Sequence, residues 1–134
     1  MRGMTATDTS TGFFMTHRNA VIHLSHESAR IVQFDATSAH ADKVDQHPHA
    51  TRQHGSSVRS EHEFFGSVCE RFGIFAKVLV TGNHTTLADF RHYVEKHRPL
   101  AALHIAGYEV VDHLTDPQLV AMARKRFDEF ERLA

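Results

Sequence analysis

Residues 76–97, AKVLVTGNHTTLADFRHYVEKH, constrain this chain more than any other stretch. Three consecutive apolar residues, Val78, Leu79 and Val80, run into the turn-prone Thr81-Gly82-Asn83-His84. A short apolar run closed by a glycine turn reads as a buried strand. Leu87, Phe90 and Val94 then recur at spacings of three and four, which puts them on one face of a helix. A second apolar run, residues 103–108 (LHIAGY), returns as a strand after Pro99. Strand, helix and strand within about 30 residues form a βαβ crossover, whose two strands are parallel. The rest of the chain must pack onto that unit.

Upstream, residues 20–24 and 29–34 read as strands joined by the polar turn Ser25-His26-Glu27-Ser28, which makes a hairpin. A third, weaker strand is expected over 40–46, with Val44 its main apolar residue. Ser60-Glu61-His62-Glu63 has the form of a capping box and is expected to open a helix. Phe64, Phe65, Val68, Cys69 and Phe72 would form its apolar face, and Gly73 would end it. Near the C-terminus, Asp116 reads as an N-cap with Pro117 at the first helical position. Leu119, Val120, Ala123, Phe127 and Phe130 line one side of that last helix, and Arg124, Lys125 and Arg126 the other. The order ββ(β)αβαβα makes an α/β domain with a mixed β-sheet and helices on its faces. Leu79, Val80, Phe64, Phe65, Phe90, Ile105 and Phe127 are expected in its core.

At 134 residues the chain is sized for one domain. Residues 1–18 carry no period and are expected to form a disordered tail, with 19–134 as the folded unit; Met15 offers an alternative start to Met1. The lone Cys69 excludes an internal disulfide framework and suits a reducing compartment, and its place on an apolar face predicts an inert, buried thiol. No run approaches the ~20 apolar residues of a membrane span, and the polar first residues do not resemble a signal peptide. The expectation is a cytoplasmic protein with no membrane partner.

Thirteen histidines make the composition unusual, and most fall in the first half. Histidine gains charge on mild acidification. The segment 46–59, QHPHATRQHGSSVR, holds three of them together with Arg52 and Arg59, and it has no acid. A structureless insertion of this length in a small domain is usually functional or disordered. His47, His49 and His54, with His62, offer the imidazole nitrogens that zinc takes. No cysteine joins them and no close-spaced ligand signature is complete, so no cofactor is required; zinc is the alternative that stays open. Gly82-Asn83-His84-Thr85 could cradle a phosphate at a helix N-terminus or simply connect. His113 between Asp112 and Asp116 could act as a general base or merely hydrogen-bond near a cap. A metal-dependent nuclease needs converging carboxylates, and the first strand has none.

The strings VLVTGNHTTLADFRHYVEKH and HIAGYEVVDHLTDPQLVAMARKRF resemble a family of small bacterial translational machinery proteins. That family is similar to the middle domain of archaeal and eukaryotic class I release factors and of Pelota. The likeness covers about residues 19–132, and it is most specific at Asp112-His113-Leu114-Thr115-Asp116, at Val120 to Arg124, and at Gly55-Ser56 before Phe64-Phe65. It implies an RNase H-like βββαβαβα fold and a ribosome or rRNA partner. Release factors carry a Gly-Gly-Gln tip between the third strand and the first helix; here the matching loop reads His54-Gly55-Ser56-Ser57. Relatives also carry Asp where Ser25 stands, and a Gly-Pro pair with a later Lys where Gly82-Asn83 and Leu87 stand. The resemblance therefore implies a Pelota-like, non-enzymatic role. RNA contact is expected through Arg52, His54, Gly55 and Arg59 of the loop, and through Arg124 and Lys125 of the last helix. The rival expectations are a histidine-rich metal-binding module and a self-associating structural protein, a possible homo-oligomer built on a free sheet edge.

Overall fold

A computed structural model describes the backbone of residues 19–35, 37–45 and 56–133, and their side chains except 56–58 and 130–133. The tail 1–18 and the loop positions His47, His49, Arg52, His54 and Gly55 lie outside the described residues, as does the side chain of Phe130.

Three antiparallel strands come first: β1 (Asn19–Leu24), β2 (Ser28–Phe34) and β3 (Ala39–Asp45). The β1–β2 turn is closed by the Ser25 N–H on the Ser28 carbonyl at 2.8 Å. The Ser25 hydroxyl accepts from the Ser28 N–H at 3.1 Å, the local bond that makes serine a turn former. Helix α1 (Ser56–Glu70) follows, then a single 3-10 turn (Phe72–Ile74). The crossover is β4 (Lys77–Gly82), α2 (His84–His97), a short helix α3 (Pro99–Ala102) and β5 (Ile105–Val110). Helix α4 (Asp116–Leu133) closes the domain. The sheet order is β3-β2-β1-β4-β5, with β4 parallel to both β1 and β5. This is the expected RNase H-like βββαβαβα arrangement on a mixed sheet.

Alternation along the strands sends residues to opposite faces. Ala20, Ile22, Leu24, Ile31, Val78 and Val80 meet α1 and α2 on one face. Val21, Val32, Phe34 and Leu79 meet Leu119, Ala123 and Phe127 of α4 on the other. Of the expected core residues, Leu79, Val80, Phe64, Phe65, Phe90 and Phe127 are buried, whereas Ile105 is half-buried and packs at the margin. Cys69 is buried, and burial pushes its thiol up to about 12.

Several boundaries differ from expectation for identifiable reasons. Helix α1 begins at Ser56, not Ser60. Ser60 is buried one turn before Phe64, and its hydroxyl finds no partner among the described residues, so the capping-box pattern there lies inside a helix. The working box is at the start of α4, where the Thr115 N–H donates to Gln118 Oε1 at 2.9 Å and the Gln118 N–H to Thr115 Oγ1 at 3.3 Å. Thr115 rather than Asp116 therefore caps α4. Helix α1 stops at Glu70, before Gly73. The returning strand starts at Ile105 because Pro99 nucleates α3 first, leaving Leu103 79% exposed. The third strand spans Ala39–Asp45, and Gln46 lies outside the described residues. It is an exposed edge on which Asp42, Lys43 and Asp45 discourage strand addition.

Candidate nucleic-acid interface

The β1–β4 seam carries the turn singled out in the sequence. A Cβ on Gly82 would stand 2.6 Å from the Leu24 carbonyl oxygen, so only glycine lets the two strand ends close together. Asn83 caps α2, its Oδ1 accepting from the Thr86 N–H at 2.8 Å. The turn thus has a structural use.

On the α4 face at the same strand ends, the Thr81 hydroxyl donates to the Ile22 carbonyl at 2.7 Å. That uses its only proton, so His23 Nδ1, 3.1 Å away, is the donor to Thr81. Burial, then Arg30 and His113, hold the His23 imidazolium below its ordinary range. Asp116 does not pair with His113: its Oδ1 accepts from Arg30 Nη1 at 2.8 Å, while Arg30 Nη2 donates to the Leu114 carbonyl at 2.6 Å. Asp112 and His113 are exposed. Glu109 lies beside Thr81 in register and pairs with Arg126 at 3.1 Å. Among the described residues no three His, Cys, Asp or Glu side chains are grouped to hold a metal ion, and no helix is long and apolar enough to cross a membrane.

The basic side of α4 divides in two. Arg124 Nη2 donates to the Asp35 carbonyl at 2.7 Å and its guanidinium lies 5.6 Å over the Phe34 ring, which ties it into the fold. Lys125 is exposed.

Arg59, the one predicted loop residue that is described, projects from the start of α1 and is exposed. It shares a helix face with His62 and Gly66, at steps of three and four. Helix α2 brings Tyr93 and His97 against this face. His62 lies 5.1 Å from the Tyr93 ring and 5.5 Å from His97, and Tyr93 lies 5.1 Å from His97. Arg98, at the C-cap of α2, hydrogen-bonds the Tyr93 hydroxyl, which raises its already high pKa, and sits 3.8 Å from Glu70. Arg59, His62, Gly66, Tyr93 and Arg98 line an open groove of about 620 Å³ between the helices, and His97 lies beside it against the His62 and Tyr93 rings. The sequence grouped His62, at a helix start, with the loop histidines as a zinc ligand, and gave no role to Tyr93, His97 and Arg98. The i, i+4 spacing of Tyr93 and His97 was the available signal.

The fold is that of one domain of known multidomain proteins. Pelota from Archaeoglobus fulgidus matches 81% of this chain at 14% identity with a TM-score of 0.58. Pelota from Thermoplasma acidophilum matches 76% at 11% identity and 0.54, and the archaeal translation termination factor aRF1 matches 84% at 13% and 0.51. The matched region is 31%, 30% and 39% of those chains respectively, so the present chain spans about a third of each. No family model matches the sequence, and no curated protein does. At this identity the likeness is one of fold.

Proposed function

We propose that this chain is a translation-associated domain that binds the ribosome or structured RNA and does not hydrolyse peptidyl-tRNA. The observation that carries the reading is the fold match over most of the chain to two Pelota proteins and a translation termination factor. The local chemistry supports it. Residues 46–59 hold two arginines and no acid, although the whole chain has a formal charge of −1. Arginine pairs with phosphate through a planar fork and keeps its charge at all relevant pH. The loop has no Gly-Gly-Gln sequence, which supports the non-hydrolytic role.

Sedimentation with purified ribosomes through a sucrose cushion tests this. The chain should pellet with ribosomes at low salt and be released as salt rises. Replacing Arg52 and Arg59 together with Ala should weaken pelleting without moving the melting midpoint, since Arg59 is exposed and neither change removes apolar bulk from the core. Free protein at every salt concentration would refute the reading. Peptide release from peptidyl-tRNA that survives repurification of the protein would refute its non-hydrolytic half.

A further inference from the structure

We propose that the groove between α1 and α2 is a nucleotide-binding site that takes an unpaired base and its phosphate from single-stranded RNA; this rests on the translation-associated reading and names where the RNA sits.

The groove has a built floor. A Cβ on Gly66 would stand 3.0 Å from Arg98 Nη2 and 3.1 Å from Tyr93 Oη, so the glycine lets both polar ends reach down to α1. Tyr93 is buried and backed by Phe65 at 5.7 Å, which holds its ring still. His62 and His97 lean on that fixed ring from opposite helices and are exposed. Flat π surfaces held open to solvent at a rigid aromatic are what an unpaired base stacks on. Arg59 and Arg98 lie at the groove as phosphate partners.

The charge distribution discriminates between ligands. Glu63 and Glu70 also border the groove. With neutral imidazoles its two arginines and two glutamates cancel, so a bare anion gains little there. A nucleotide gains stacking as well, and its base amino groups and ribose hydroxyls are donors for the carboxylates. Stacking should therefore supply most of the affinity, and purines, with larger faces, should bind more tightly than pyrimidines. With two arginines involved, log K should fall with log salt at a slope of only about −1.4.

Fluorescence anisotropy with labelled eight-nucleotide oligo(A) and oligo(U) RNA decides the matter, run beside ribosome sedimentation on the same preparations. The wild-type chain should bind oligo(A) more tightly than oligo(U), with inorganic phosphate a poor competitor. The double variant R59A/H62A, two exposed positions, should lose at least about tenfold in oligo(A) affinity. H97A should lose several-fold, and both variants should keep the wild-type melting curve. Equal affinity of wild type and R59A/H62A overturns the groove, and so does wild-type protein that pellets with ribosomes but ignores both oligonucleotides; in either case the translation-associated reading stands. Wild-type protein that binds neither ribosomes nor oligonucleotides overturns both. Displacement by polyglutamate as readily as by RNA also overturns the nucleotide assignment and points to an acidic protein segment.

Discussion

The two faces of the sheet are closed by different means. Under α1 and α2, rings meet rings: Phe65 stands edge-on to Phe90 with centroids 5.2 Å apart, and Phe72 lies 6.3 Å from Phe90. Under α4 the apolar patch is smaller, with Phe34 stacked on Phe127 at 5.9 Å. Beyond that patch the strand ends carry the polar row of Arg30, His23, Thr81 and Glu109, adjacent in register across β2, β1, β4 and β5. The first face draws its stability from area removed from water. The second also depends on directed bonds that hold the start of α4 over a polar margin. Apolar packing is insensitive to pH, whereas a row containing a half-buried imidazole is not. One sheet thus has an aromatic side, which backs the candidate RNA groove, and a side with a titratable group at its polar margin.

The sharpest way to break the contrast is to hollow out the aromatic side. Phe90 is fully buried and touches both Phe65 and Phe72. Phe90→Ala should cost ~3–5 kcal/mol, the range for a buried ring with its cavity. Urea melts of wild type and variant measure it. A loss below ~1 kcal/mol would mean that the rings under α1 and α2 are not the main source of stability.

A smaller effect is expected on the α4 side. Arg30→Ala removes the bonds to Asp116 and to the Leu114 carbonyl. Both partners of the ion pair are about one-third exposed, so about 1 kcal/mol is expected. Arg30→Lys keeps the charge and loses the fork, and should fall between Ala and wild type. If Lys matched wild type in the same melts, charge alone rather than the bidentate geometry would hold the start of α4.

How much of this was legible beforehand follows the range of the interactions. The crossover could be read because Val78-Leu79-Val80 and Leu87, Phe90, Val94 carry their period within a few residues, and the hairpin because Ser25 and Ser28 form a local turn. The two capping-box patterns show the limit. Ser60 to Glu63 and Thr115 to Gln118 are equivalent as strings, and only the second caps a helix. Ser60 is taken inside by its packing next to Phe64, a tertiary fact that the string does not contain. The groove was hidden for the same reason. His62 and Tyr93 belong to different helices, and nothing local announces that α1 lies against α2. On the polar row, Arg30 and Asp116 are far apart in the chain, so the sequence suggested His113 as the partner of Asp116 when the sheet supplies Arg30.

The pH response of the polar row is the subtlest test, and it separates the faces most cleanly. His23 is half-buried, donates through Nδ1 to Thr81, and has Arg30 and His113 as charged or chargeable neighbours. Burial, then the charges of Arg30 and His113, disfavour a second proton, so the folded chain protonates His23 at lower pH than the unfolded chain, whose histidines titrate near ~6.5. Between those two values the unfolded state binds a proton that the folded state does not. Stability therefore rises with pH across that window, and it falls as the solution is acidified through ~6.5. The informative quantity is the difference between wild type and His23→Asn, in which all other groups cancel. The Asn amide can still donate to Thr81, but it cannot titrate. Urea melts at pH 7.5, 6.5 and 5.5 should show the wild type losing more stability than the variant on acidification, with the gap opening below ~6.5. Phe90→Ala, on the other face, should lower the curve without changing its shape. Parallel curves for wild type and His23→Asn would mean that the polar row does not sense pH, and that the two faces differ in packing alone.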